Sequence, residues 1–309
     1  MNKRKLDLQM FADQTFNPDH VTMMSAKTGK IPTNIHDEIL TGVKTGSGLM
    51  ALAKEVPMTK PIETFTHMSG VGAYWVSETE RIQTSKPTFL QTEMRAYKLG
   101  VIVPTSKENL QHSVTNFFEL VKPEIQEAFA QKFDQAGFLG TDSPYAQNIL
   151  KAATDAGNVV TETKDKYNDI DKAIAFLEDE DFEPNGIATT RKQRTKYRQT
   201  KDGNGMPIFN TANSNGVDDI LGLPIAYLKK ASLGEDVAEV VGDWDNVYYG
   251  ILRGIEYDVL TEATLTTMKD AEGNLVNLAE RDMVALKATM QIGFMVVKDD
   301  AFAVVNAGK

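Results

Sequence analysis

One stretch, residues 68–140, constrains this 309-residue chain more than any other. It opens as a ribbon. Residues 62–66 (Ile-Glu-Thr-Phe-Thr) read as a strand, Gly70 and Gly72 break or bulge it, and Tyr74-Trp-Val76 resumes it. Residues 78–87 are polar and charged and form the tip; residues 89–104 return as a strand ending in Leu99-Gly-Val-Ile-Val103. A long helix follows. Phe118, Val121, Ile125, Phe129 and Phe133 recur at spacings of three and four, which makes one apolar stripe. Asn116 and Glu119 have capping-box spacing, Pro123 should kink the helix or mark its start, and Gly137 and Gly140 end it. At 1.5 Å per residue the helix would span roughly 34 Å. A two-stranded ribbon has little core of its own and is marginal alone in water. It must lie on something outside itself, so the chain reads as one built to assemble.

The flanking regions are plainer. Residues 13–47 carry scattered Gly and Pro with little periodicity, an extended arm with one short helix at 36–40. Residues 49–56 form a second short helix. Residues 140–163 read as loop-rich. A helix is expected at 168–178, a strand at 186–189, and a basic helix at 191–200 capped by Thr190. Strands follow at 221–228, 237–241 and 247–252. Residues 254–260 and 264–269 read as a strand pair, 283–297 as the longest β run, and 301–305 as the closing strand. Helices and strands segregate rather than alternate, which favours an α+β fold.

Composition narrows function mostly by exclusion. The absence of cysteine removes disulfides, thiolate metal sites and cysteine nucleophiles together. A formal net charge of -10 opposes a dedicated nucleic-acid binder, which carries a basic face. No apolar run reaches about 18 residues, so no membrane span is expected. The basic N-terminus is not a secretory signal, because Asp7 and Gln9 interrupt Leu6, Leu8, Met10 and Phe11; an arm or a cleaved leader remains. His20, His36, His67 and His112 have no metal-ligand spacing among themselves, and no phosphate-loop or nucleophile-elbow motif occurs. No catalytic residue, metal ligand or cofactor site can be named. Two charge clusters stand out. Glu178-Asp-Glu-Asp-Phe-Glu183 reads as a solvated acidic turn rather than a calcium loop. Arg191, Lys192, Arg194, Lys196 and Arg198 load one short helix with positive charge: a solvated face, a partner for an acidic neighbouring subunit, or a loose phosphate contact.

The wording of several segments is familiar. Gly72-Ala-Tyr-Trp-Val76, Met94-Arg-Ala-Tyr-Lys-Leu-Gly-Val-Ile-Val-Pro104, Phe129-Ala-Gln-Lys-Phe-Asp-Gln-Ala-Gly137, Arg281-Asp-Met-Val-Ala-Leu-Lys-Ala-Thr-Met290 and Asp300-Ala-Phe302 lie in collinear order. Each is weak alone; together they resemble the major capsid proteins of tailed bacteriophages of Gram-positive hosts, with the Hong Kong 97-type fold. The resemblance implies a leader at 1–12, an N-arm at 13–59, an E-loop and its base at 60–104, a P-domain spine helix at 105–144, an A-domain at 145–255 and P-domain return strands at 256–309. It implies pentamers and hexamers of this chain in an icosahedral head, made in the host cytoplasm and located in the virion. A scaffolding protein and a portal protein would be partners, and packaged double-stranded DNA would be touched only weakly. E-loop residues Glu78, Glu80, Arg81 and Lys86 would contact a neighbouring subunit. Lys5-Leu-Asp-Leu-Gln-Met-Phe-Ala12 is similar to the extension of a ribosomal protein that a host protease trims in Gram-positive bacteria, which implies cleavage between Ala12 and Asp13. An encapsulin-type compartment shares the fold and would lack the cleaved arm and scaffold. An enzyme with an unrecognised site is the alternative from another class.

Overall fold

The computed structural model describes residues 43–44, 46–69, 71–108, 117–201, 204–206, 208–209, 219–269 and 273–308. The leader with its Ala12/Asp13 junction, the arm helix at 36–40, His20, His36 and His112, and the Asn116 cap lie outside these residues. The helices are α1 (Gly48–Leu52), α2 (Phe117–Phe138), α3 (Ile149–Ala156), α4 (Lys166–Asp179), α5 (Gln193–Gln199) and α6 (Lys230–Leu233). The strands are β1 (Lys54–Glu55), β2 (Ile62–Ser69), β3 (Thr88–Ser106), β4 (Val159–Thr161), β5 (Gly186–Thr190), β6 (Asp219–Ile220), β7 (Leu223–Leu228), β8 (Val237–Gly242), β9 (Val247–Leu260), β10 (Thr264–Lys269), β11 (Leu275–Asn277), β12 (Met283–Val296) and β13 (Phe302–Asn306).

The strands form two large sheets and a small ribbon. The first sheet has the order β1-β9-β12-β3-β2, the second β4-β13-β8-β5-β7-β6, and β10 pairs with β11. Segment 256–309 is therefore shared: β12 is the central strand of the first sheet, and β13 lies inside the second.

β3 explains how the ribbon leaves the body. Its 19 residues do two jobs. Residues 96–106 pair with β12, from Ala96 opposite Gly293 to Ser106 opposite Met283. Residues 88–95 pair only with β2, from Thr88 opposite Ser69 to Arg95 opposite Ile62. At about 3.3 Å per residue, eight residues carry the strand roughly 26 Å past the sheet. The base is held by an apolar plug of Met58, Met94 and Met295. Two glycines make room for it. Gly250 and Gly293 face each other across β9 and β12. A Cβ on Gly250 would lie 2.5 Å from Met58 and 2.8 Å from the Val56 carbonyl; one on Gly293 would lie 2.8 Å from the Met58 sulfur.

α2 lies on the first sheet. Ile125, Phe129 and Phe133 are buried on its apolar face. The Phe133 ring meets Tyr249 of β9 and Phe294 of β12 edge-on, with centroids 6.4 and 6.2 Å apart. The helix runs unbroken through Pro123, and 22 residues give it about 33 Å. α2 also binds the second lobe. Lys229 pairs with Glu127, and Gln135 donates to the Ala231 carbonyl at 2.8 Å. Beyond the helix end, Trp244 packs edge-on to Phe138 and Phe302 and donates its indole N–H to the Gly186 carbonyl at 3.0 Å.

Several expectations change besides the Pro123 kink. Residues 49–56 are not one helix: α1 stops at Leu52, and Lys54–Glu55 pair with β9 as β1. Residues 74–76 are not strand: 71–87 form a loop whose neck closes where the Gly72 amide donates to Ser85 Oγ at 2.8 Å. Residues 140–163 are not all loop, because α3 forms there with Asn148 capping the Lys151 amide and Gly157 ending it at φ 82°. Thr190 does not cap the basic helix; it ends β5, and α5 begins after Lys192 without a side-chain cap. Residues 247–252 and 254–260 are one strand, β9, which pairs with β12 through a bulge, so 264–269 pairs with β11 instead.

Candidate assembly surfaces

Three features stand apart from ordinary core packing: the ribbon loop, a carboxylate pin beneath α1, and the charged helix of the second lobe.

The loop 71–87 is exposed along almost its whole length. It presents apolar groups that a solitary protein would bury. Trp75 is fully exposed, Ile82 is 82% exposed, and Val71, Tyr74 and Phe89 are more than half exposed. Clustered exposure of this kind marks an interaction surface. The expected contact residues Glu78, Glu80, Arg81 and Lys86 are all exposed on the same loop. Glu80 shapes the tip locally, accepting from the Ser77 amide at 3.2 Å beside Thr79 at φ 75°. Among the described residues, Glu78, Arg81 and Lys86 have no ion-pair partner. Reading 78–87 as a polar tip overlooked Ile82, and reading 74–76 as strand overlooked the exposure of Trp75.

The pin was not foreseen. Asp134 of α2 is 1% exposed. Its carboxylate accepts from Ser47 Oγ at 2.5 Å and from the amides of Gly48 and Leu49, each at 3.2 Å. Ser47 Oγ in turn accepts from the Met50 amide at 3.1 Å and caps α1. Burial pushes the Asp134 carboxyl above its ordinary range, opposed by these bonds and by the Ser232 hydroxyl. The residues leading into the ribbon are thereby fastened to the long helix.

The five basic residues of 191–198 separate into two groups. Lys196 and Arg194 are spent inside the molecule. Lys196 pairs with Glu162 at 2.5 Å, and the Arg194 guanidinium lies 4.1 Å over the Tyr227 ring. Arg191, Lys192 and Arg198 stay exposed. Glu162 is a hub: it also accepts from Lys166, from Gln193 at 3.2 Å and from the Gly308 amide at 3.2 Å. Burial alone would raise its carboxyl, but the hydrogen bonds and charges of Lys166 and Lys196 outweigh that and bring it down to about 2. Beneath it Glu239 is fully buried on β8, with Lys166 at 3.6 Å. Burial pushes Glu239 up to about 7, against the pull of Lys166 and Tyr197. Nothing in the sequence marks Glu239 except its place in an otherwise apolar strand. Among the described residues, no group of His, Asp and Glu converges as a metal site. None of their helices is long and apolar enough to cross a membrane.

The family described as the phage capsid family matches residues 29–307. The chain belongs to the phage capsid family. It is 39% identical over 308 residues to the major capsid protein of Staphylococcus phage 80alpha, covering 97% of this chain and 94% of that one. A solved chain from Microbacterium phage Oxtober96 superposes with a TM-score of 0.76 at 25% identity, covering 85% of this chain and 91% of that one. One from Mycobacterium phage Adephagia gives 0.72 at 23% identity over the same shares, a likeness of fold. The α+β architecture is that of the Hong Kong 97-type capsid fold. Within this family's fold the projecting ribbon, the long helix and the two sheets belong to one capsid subunit.

Proposed function

We propose that this chain is the major capsid protein of a tailed phage, assembling into pentamers and hexamers of an icosahedral head that encloses double-stranded DNA. One observation carries the reading: 39% identity along 97% of the chain to a major capsid protein. The exposed apolar loop supports it, because Trp75 and Ile82 gain burial only from a neighbouring subunit. On this reading the ribbon 60–104 lies on the adjacent copy, with Glu78, Glu80, Arg81 and Lys86 at the contact. The spine helix and first sheet form the P-domain, and the second sheet with α3, α4 and α5 forms the A-domain. The role is structural rather than enzymatic. A scaffolding protein guides assembly and a portal protein occupies one vertex. The net charge of -10 keeps DNA contact weak, so DNA slides during packaging. Cleavage between Ala12 and Asp13 removes the basic leader; intact mass of particles from the natural host checks it, and retained residues 1–12 would refute it.

Binding energy on this reading is spread over many modest interfaces repeated by symmetry. The test is sedimentation velocity of the purified chain with negative-stain microscopy of each fraction. Rings, shells or tubes are expected. A chain that stays monomeric even when co-expressed with its scaffold gene would overturn the shell reading.

A further inference from the structure

α4 and α5 carry their charges at the wrong ends. A helix C-terminus favours cations and its N-terminus favours anions. α4 nevertheless ends in Glu178-Asp-Glu-Asp-Phe-Glu183, with no basic residue in its last turn. Arg191 and Lys192 immediately precede α5, which has no acidic residue in its first turn and no side-chain cap. The acidic turn and the Arg191–Lys192 pair are exposed and oppose the local helix dipole, whereas Arg198 lies in the last turn of α5, where the dipole favours it.

The fold also keeps them apart. The N-terminal end of α4 meets α5, because Lys166 and Lys196 share Glu162. The acidic turn is at the other end of α4, 14 residues and about 21 Å away. β5 gives a second ruler. Its five residues run from beside the acidic turn to Thr190, just before Arg191, about 16 Å. Both distances exceed the roughly 8 Å Debye length at physiological salt, so the clusters do not neutralise each other within one subunit. The turn is rigid: the Phe182 amide donates to the Leu177 carbonyl at 2.9 Å, and the Phe182 ring packs inward beneath Lys298, 4.9 Å from the ammonium. Glu178, Asp179, Glu180, Asp181 and Glu183 are all exposed around it. Among the described residues none of these five carboxylates has an ion-pair partner. On the basic side, Glu235 feels Lys192 but is already paired with Lys230.

A lobe with a negative end and a positive end is what a head-to-tail contact requires, in which two different patches of one chain meet around a ring. We propose that in each ring the acidic turn 178–183 of one copy docks on Arg191, Lys192 and Arg198 of the next. The proposal rests on the shell reading above and adds the pair of surfaces that joins neighbouring second lobes. Docking sets the carboxylates of the turn against exposed cations and brings those cations to the C-terminal end of α4, which has none of its own.

Two charge-reversed full-length chains test it. One carries R191E/K192E/R198E, and the other carries E178K/D179K/E180K/E183K; Asp181 is kept because its φ of 60° suits a short polar residue. Each alone sets like against like at every contact and loses ring-forming material by about tenfold or more. The chain carrying both sets recovers to within about twofold. A mixture of the two single variants joins only in alternation, so six-membered rings form and five-membered rings do not. E178Q/D179N/E180Q/D181N gives an independent readout: removing the misplaced charge raises the melting temperature of the unassembled chain while lowering ring yield. Rings from either reversed chain at the unsubstituted level would overturn the proposal. So would a failure of the swapped chain to recover while its circular dichroism and melting match the unsubstituted protein. If the unsubstituted chain forms no rings even with its scaffold, the shell reading fails and takes this contact with it, an outcome distinct from both.

Discussion

Replacing Asp134 by alanine should destabilise the unassembled protein by about 3–5 kcal/mol. The magnitude follows from what the carboxylate holds. Ser47 Oγ at 2.5 Å and the Gly48 and Leu49 amides at 3.2 Å converge on it beside the Ser232 hydroxyl, in a site where Asp134 and Ser47 are each 1% exposed. Each donor left dry costs about 1–3 kcal/mol. Against that sum, alanine releases a buried carboxylate held by hydrogen bonds, with no cation paired to it among the described residues, a gain of a few kcal/mol. Ser47→Ala removes one of these bonds and the α1 cap, about 1–2 kcal/mol. Because both changes act on one bond, the double variant should fall short of additivity by about 1–2 kcal/mol. Urea titrations of dilute, unassembled protein, read by tryptophan fluorescence and circular dichroism, measure all three. The alanine variant should also become sensitive to protease near residue 53, where α1 ends. A cost below about 1 kcal/mol for Asp134→Ala, or strict additivity with Ser47→Ala, would show that the pin does not fasten this segment.

Three further outcomes follow. Glu239 has its folded value raised from the ordinary 4.5 to about 7, so its contribution is fully present below pH 4.5 and lost as pH rises through 7. Relative to Glu239→Gln, the natural protein should lose roughly 3 kcal/mol between pH 4.5 and 8 in urea titrations; a flat difference would refute the burial argument. Glu162 has the opposite sign: its folded value is lowered to about 2, so natural protein should lose stability relative to Glu162→Gln only as pH falls below 4.5 toward 2. Gly250→Ala drives a methyl group to 2.8 Å from the Val56 carbonyl and 2.5 Å from Met58, and should cost about 1–3 kcal/mol while loosening the ribbon base, visible as faster amide exchange at residues 94–96.

Much of the plan was legible in the residues. The stripe Ile125, Phe129 and Phe133 placed the long helix because period and burial coincide there. The β-rich run 99–103 placed the inner part of β3 for the same reason with period two. What misled were segments whose structure depends on a partner. Tyr74-Trp-Val76 has strand propensity but no strand opposite it, and propensity without pairing leaves a loop. α3 was readable after the fact from Asn148 as cap, the stripe Ile149, Ala152 and Ala153, and Gly157 as stop; its eight residues are short enough to pass for loop. The basic helix was visible as a cluster, but charge alone cannot say that Lys196 and Arg194 are occupied by Glu162 and Tyr227.

The division has a physical basis. Local order, apolar periodicity and charge runs are written along the chain, so an α+β protein with a projecting ribbon, a long helix and no cysteine chemistry could be read from the residues alone. Which strands pair, which carboxylate ends up beneath converging donors and which cations remain free are set by residues far apart in the chain: Ser47 and Asp134 are 87 positions apart, and Tyr249 and Glu55 meet across 194. Contacts of that separation form only when two sheets and a helix have closed around them, so only the tertiary structure could decide them.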